Sequence, residues 1–117
     1  MNLGRHGENL AVDYLRSQGY KILERNFKAR YVEIDIIAQD KDVLVFVEVK
    51  TRFSEKYGTP EEAITPWKLK TLKKAAEYYK LLHPELSEAL RIDVVAIELG
   101  PDRSVKRLNL IKNATSY

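Results

Sequence analysis

Three carboxylates and an ammonium stand inside one of the most apolar stretches of this chain. Within "VEIDIIAQDKDVLVFVEVKTR", residues 32–52, the side chains of Glu33, Asp35, Glu48 and Lys50 interrupt runs of Ile, Val, Leu and Phe. Burying an ion is costly unless it is paired or coordinates a metal. For one carboxylate the plain reading is a rim where a hairpin meets water, salt-bridged to Lys50 or Arg52. The group as a whole resists that reading, because its carboxylates outnumber what Lys50 can neutralise. Converging carboxylate oxygens are hard ligands and invite a divalent cation such as Mg²⁺ or Mn²⁺.

Alternation along the chain predicts the elements that hold these groups. "VEIDIIAQ" and "VLVFVEVKTR" read as strands closing a hairpin around Asp40 and Lys41. Val43, Val45, Val47 and Val49 share a core face, while Leu44, Phe46, Glu48, Lys50 and Arg52 share the other. Glu33, Asp35 and Ile37 share a face of the preceding strand. An even loop, either Asp40-Lys41 or Gln39 to Asp42, pairs Ile37 with Leu44 and Asp35 with Phe46. Asp35 is then diagonal to Glu48, within reach of long side chains. A three-residue loop would separate the charged faces, and Asp-Lys is not a favoured two-residue hairpin sequence. The even loop predicts Glu33, Asp35, Glu48 and Lys50 in one cluster at one end of a sheet.

Residues 4–18 have helical period, with Leu10, Ala11, Tyr14 and Leu15 on one face and Gly19 as the stop. "YKILERNFKAR" reads as a first strand, and "FSEKYGTPEEAITP" as a loop with a helical turn at Pro60 to Ala63. Thr65 and Pro66 are the cap and first position of a helix reaching about His83, ended by Pro84. "RIDVVAIEL" and "SVKRLNLI" are two further strands, separated by the Gly100-Pro101 turn. The expected architecture is a single α/β domain over residues 1–117, a mixed five-stranded sheet flanked by helices in the order α-β-β-β-α-β-β.

Composition narrows the classes of function. The 117 residues are 44% hydrophobic and 32% charged, ordinary for one soluble domain with its own core. No apolar run is long enough to span a membrane, and the N-terminus lacks the apolar core of a signal peptide. There are no cysteines, which removes disulfides, thiolate metal sites and cysteine nucleophiles and fits a reducing cytoplasm. A net charge of +3 is compatible with a polyanionic partner without pointing to one. No Gly-rich phosphate loop, HExxH or nucleophile-elbow motif is present. Nothing suggests a small-molecule cofactor.

Asp35, twelve intervening residues and then "EVK" at 48–50 form the Asp…(Asp/Glu)-x-Lys pattern of restriction-endonuclease-like nucleases. With "GRHGENLAVDYLRSQGYKILERNF", "EIDIIAQD", "VLVFVEVKTR", "GTPEEAITPWK" and "RIDVVAIE", nearly the whole chain resembles the UPF0102, or YraN-like, family of predicted endonucleases. That family is similar to archaeal Holliday junction resolvases. One departure is visible: the family usually has Gly before "EID", where this chain has Val32. The resemblance implies a restriction-endonuclease-like fold and a metal-dependent endonuclease acting on DNA, with branched or junction DNA a candidate substrate. It implies Mg²⁺ or Mn²⁺ as cofactor, cytoplasmic action and, by analogy with resolvases, a homodimer. The other reading is a nucleic-acid-binding protein of the same fold with little or no catalysis, working in a DNA-processing complex.

By this resemblance Asp35 and Glu48 are the principal metal ligands, with the Val49 carbonyl as a third. Lys50 holds the nucleophile, stabilises the transition state or acts as a base. Glu8 lies on the stripe Gly4, Glu8, Ala11, Leu15, at the edge of the first helix's apolar face, and resolvase-like nucleases place a first-helix Glu at the metal. Its other reading is a solvent-side Glu near a helix N-terminus. Glu33, Lys68 and Arg52 are secondary candidates. Lys68 falls on the buried arc of Leu72, Ala75, Ala76, Tyr79 and Leu82, where it either snorkels out or meets a negative group. Lys68, Arg52, Lys70 and Lys74 are candidate nucleic-acid contacts, although Lys70, Lys73, Lys74 and Lys80 also read as an ordinary solvated face. Trp67 reads as packing, and Asp93 as a structural partner for Arg91. His6 and His83 receive no role.

Overall fold

The computed structural model describes residues 2–53 and 58–116. Helix α1 spans Leu3–Ser17 and is followed by strands β1 (Lys21–Lys28), β2 (Glu33–Asp40) and β3 (Val43–Phe53). Helix α2 (Pro66–Leu82) then leads to β4 (Ala89–Leu99) and β5 (Val105–Ile111). The order is the one expected. Short 3₁₀ turns at Glu61–Ala63 and Ala114–Ser116 complete the described chain. Ser54 to Tyr57, part of the expected loop, lie outside the described residues. Among the described residues no helix is long and apolar enough to cross a membrane.

The sheet runs β1-β2-β3-β4-β5, antiparallel except for the central β3·β4 pair. A parallel pair needs a crossover, which α2 provides. One helix covers each face. Against α1, Ala11, Val12 and Leu15 pack with Ile36, Val45, Val47, Val95 and Ile97. Against α2, Leu72, Ala75, Ala76 and Tyr79 pack with Ile37, Leu44, Phe46 and Ile92. The alternating valines of β3 therefore face α1, and the Leu44–Phe46 face lies under α2.

Both helices are bounded by their sequence signals. Gly19 takes a positive φ of 91° just beyond α1, a conformation that glycine adopts without strain. The Thr65 side chain accepts the Lys68 N–H at 3.1 Å, with Pro66 at the first helical position. At the other end, Lys80 departs from the expected solvated face. Its ammonium donates to the Pro84 and Leu86 carbonyls at 3.1 and 2.6 Å and closes the helix's C-terminal loop.

The hairpin differs from expectation in register. The two turn residues are Lys41 and Asp42, so Asp40 pairs with Val43 and Ile37 with Phe46. The count is even, as expected. The pairing is nonetheless shifted by two residues, and the ladder ends at Ile36–Val47, before Asp35. The cause is partly long-range. Arg91 donates to Asp40 at 2.8 Å and keeps it in the strand, while Lys41 absorbs the reversal at φ 53°.

Asp93, fully buried on the α1 face, is the partner of Arg91. It accepts from Arg91 Nε at 2.8 Å, the Tyr20 hydroxyl at 2.8 Å and the Asn113 N–H at 3.0 Å. Burial, reinforced by Asp93, pushes the Tyr20 phenol well above its ordinary range. A buried charge with every acceptor site used locks β4 to the start of β1 and to the C-terminal turn. Asp93→Ala leaves Arg91 with Asp40 as its remaining carboxylate, strands the Tyr20 hydroxyl and the Asn113 N–H, and is expected to cost roughly 1–3 kcal/mol in urea denaturation. Asp93→Asn, which keeps two acceptor contacts, should cost less. Equal and small losses in both variants would contradict this structural role.

Candidate metal centre

Four elements converge at the end of β3 that carries the charges. Helix α1 reaches it because Gly7 lies directly on Thr51, where an added Cβ would overlap the Thr51 hydroxyl. That close approach brings the next residue, Glu8, to the sheet with a side chain only 14% exposed. Asn26 of β1 adopts φ 55°, a left-handed conformation that Asn tolerates better than most residues. The result breaks the strand's alternation. Arg25 and Asn26 both reach the α1 face, where Asn26 Nδ2 lies 3.0 Å from both Glu8 oxygens and 2.9 Å from Glu33. Arg25 adds an ion pair to Glu8 at 3.4 Å.

Opposite this irregularity, β2 leaves β3. The ladder ends at Ile36–Val47, and Asp35 Oδ2 accepts the Val49 N–H at 2.8 Å. Ile36 packs on the α1 side and Ile34 on the α2 side, so Asp35 sits in the gap between faces. Within a strand residue N–H and C=O point to the same side, so the Val49 carbonyl also faces this gap. Val32 needs no glycine-like backbone: its φ is not positive, and its side chain packs on the α2 side.

Ligand oxygens of Glu8, Glu33 and Asp35 lie within 4.8 Å of one another. They border a depression of about 220 Å³ whose lining includes Asp35, Val49, Lys50 and Arg52. Glu48, the other expected ligand, lies next to Asp35 but outside this trio. It approaches Asp35 from the α2 side, almost fully buried, and pairs with Lys68 at 3.5 Å. Lys68 thus meets a carboxylate, one of the two outcomes that its place on the buried arc left open. Glu33, a secondary candidate, completes the acidic trio instead. Lys50 lines the depression and makes no hydrogen bond or ion pair among the described residues, and Arg52 donates to the Thr51 carbonyl at 2.9 Å. Lys70 and Lys74 fall on different flanks of α2 and outside this site. Trp67 is 70% exposed, so it is not packing.

The electrostatics mark Asp35 as the group under pressure. Burial raises its pKa to about 7, and the adjoining Glu48 carboxyl reinforces the rise. The Val49 N–H and the Lys68 charge pull the other way without cancelling it. Two carboxylates this close share a proton unless a cation takes its place. An all-oxygen trio with a carbonyl beside it, short of positive charge, fits Mg²⁺ or Mn²⁺.

The family model described as "Uncharacterised protein family UPF0102" matches residues 7–97. The chain belongs to the UPF0102 family. A UPF0102 protein of Syntrophomonas wolfei is 50% identical over 112 residues, covering 96% of each chain. One from Caldicellulosiruptor bescii is 49% identical over 118 residues, covering 97% of this chain and 99% of the relative. A UPF0102 protein of Clostridium botulinum is 47% identical over 116 residues, covering 97% and 93%. The matched span of this UPF0102 protein includes Glu8, Asn26, Glu33, Asp35, Glu48, Lys50 and Lys68.

Asn26 and Arg25 escape a reading of motifs. The one available signal is an Asn within a strand pattern, a residue that tolerates positive φ. The raised Asp35 pKa yields a pH-dependent prediction. A carboxyl whose pKa is about 7 when folded and 3.8 when unfolded binds more protons in the folded state, so the fold loses stability as pH rises between those values. Asp35→Asn cannot titrate and retains an acceptor for Val49. Its melting temperature relative to wild type, in EDTA, is expected to rise from pH 4.5 to pH 8 by a few °C. A difference that does not change with pH would show that Asp35 is not under this strain.

Proposed function

We propose that this UPF0102 protein is a metal-dependent endonuclease that hydrolyses phosphodiester bonds in DNA and acts in the cytoplasm. The observation that carries the reading is the convergence of Glu8, Glu33 and Asp35 oxygens within 4.8 Å beside a depression lined by Lys50. The resemblance to restriction-endonuclease-like nucleases, through Asp35 and "EVK", supports the same chemistry. Glu8, Glu33, Asp35 and the Val49 carbonyl would hold Mg²⁺ or Mn²⁺. When bound, the ion would supply a Lewis acid for a phosphate oxygen and lower the pKa of a water. Lys50, with no partner among the described residues, is available to stabilise charge that develops on the phosphoryl oxygens. Arg52 is placed to orient a neighbouring phosphate. Glu48, paired with Lys68, holds the Asp35 carboxyl from behind. Cutting both strands of a branched substrate requires two sites, hence a homodimer.

A second reading, a nucleic-acid-binding protein with little catalysis, is favoured by one observation. Lys68 already neutralises Glu48, the second acid of the nuclease pattern. The two readings part on hydrolysis. Purified protein with Mn²⁺ is expected to cleave DNA when duplex, single-stranded and four-way-junction substrates are compared. Asp35→Asn and Lys50→Ala should each reduce the rate by about 10²-fold or more. Cleavage that persists in both variants, or in EDTA, would rule out this site as its source. Binding without hydrolysis on every substrate would leave the second reading.

A further inference from the structure

A groove of about 540 Å³ separates the β1–β2 connection from α2. Its walls carry Lys28, Arg30 and Tyr31 on one side and Thr71, Lys74 and Tyr78 on the other, and no carboxylate lines it. Tyr31 is 79% exposed and Tyr78 49% exposed, large aromatic surface left without a covering element. Arg30 lies over the Tyr31 ring at 5.2 Å. None of Lys28, Arg30 and Lys74 makes an ion pair with a described carboxylate. Ala29, Val32 and Ala75 supply an apolar floor.

We propose that this groove binds an unpaired nucleic-acid strand, with bases stacked on Tyr31 and Tyr78 and phosphates held by Lys28, Arg30 and Lys74. The proposal deepens the endonuclease reading and rests on it for the identity of the ligand. Charge and aromatic rings must be satisfied together. A duplex offers phosphates but hides its base faces, whereas an unpaired strand offers both along one path. A second copy of this chain is a poorer occupant, since a two-fold contact here would bring the same three cations together twice. Two groove residues neighbour members of the acidic site along the chain. Val32 on its floor precedes Glu33, and Thr71 lies one helical turn beyond Lys68, the partner of Glu48.

Fluorescence anisotropy tests this with Ca²⁺ present, so that binding is read without requiring cleavage. The probes are a short oligothymidylate and an abasic oligomer of the same length. The protein is expected to bind the base-bearing strand at least about tenfold more tightly. The double variant Tyr31→Ala/Tyr78→Ala should remove that preference while leaving abasic binding nearly unchanged, and the Phe versions should restore it. Lys74→Ala should weaken both probes and lower the salt slope by roughly 0.7. All these residues are exposed, and unchanged melting temperatures would confirm intact folds. Equal affinity for the two probes, or aromatic variants that bind like wild type, would overturn the groove even if the protein cleaves DNA. Aromatic variants that dissociate a dimer without altering strand binding would overturn it in favour of a self-interface. Base-dependent binding that the aromatic variants lose, in a protein whose wild type never hydrolyses DNA, would uphold the groove and defeat the endonuclease reading alone.

Discussion

The Val49 N–H is donated to a carboxylate where a regular hairpin would give it a carbonyl of the neighbouring strand. That bond at 2.8 Å lets β2 part from β3 after Ile36 without stranding a buried donor, since an unpaired backbone N–H would be costly. Much of the site follows from it. The gap admits the Asp35 carboxyl between the two faces of the sheet. From there it meets Glu48 on the α2 side and Glu8 with Glu33 on the α1 side. The positive φ of Asn26 on β1 is the matching irregularity, and its amide joins the two outer acids.

Bonds to Asp35 and Glu48 orient these acids but supply too little charge to settle them. Arg25 offsets part of Glu8, and Lys68 part of Glu48. Asp35 receives a neutral N–H and a weaker pull from the Lys68 charge, and burial with the adjoining Glu48 still holds its pKa up. Asp93 is the instructive contrast. It lies deeper in the same sheet, fully buried where Asp35 is half-buried, and Arg91 meets it with a full charge while two further donors complete its shell. One buried carboxylate is finished by the fold. The other is left for something from outside, either a proton or a cation, and this distinguishes a structural acid from a candidate ligand more sharply than burial does.

Period and punctuation made the scaffold legible. Val43 to Val49 alternate onto α1, Thr65 and Pro66 start α2, Gly19 ends α1, and Asp93 finds Arg91. Each depends on neighbours within a few residues or on a face that the pattern defines. The hairpin register did not follow from local rules, because Asp40 is held in its strand by Arg91, a residue far along the chain. Within the site, Asp35, Glu8 and Lys50 were readable from residue type and resemblance. The grouping of Glu33 with Glu8 and Asp35, and of Glu48 with Asp35 and Lys68, did not follow from alternation, because strict alternation fails at Asp35 and a carboxylate that replaces a backbone acceptor leaves no periodic trace. Asn26 was invisible for the same reason.

Helix α2 carries this logic beyond the acids. Its first turn is tied to the sheet by Lys68 and Glu48, and its last by Lys80 and the two loop carbonyls. Between them Tyr79 packs edge-on to Phe27 and Phe46 and donates its hydroxyl to Glu24 at 3.1 Å. Burial, with Glu24 beside it, pushes that phenol's pKa up to about 12, so the bond stays a neutral donor to a carboxylate throughout the physiological range. A helix pinned at both ends and at its buried midline has little freedom to rock. Its outer residues, Thr71, Lys74 and Tyr78, are therefore held at a fixed distance from the β1–β2 connection, and the groove between them is part of the folded architecture. A surface built this way loses little conformational entropy when a partner settles on it, which is the condition for exposed aromatic and basic side chains to contribute affinity.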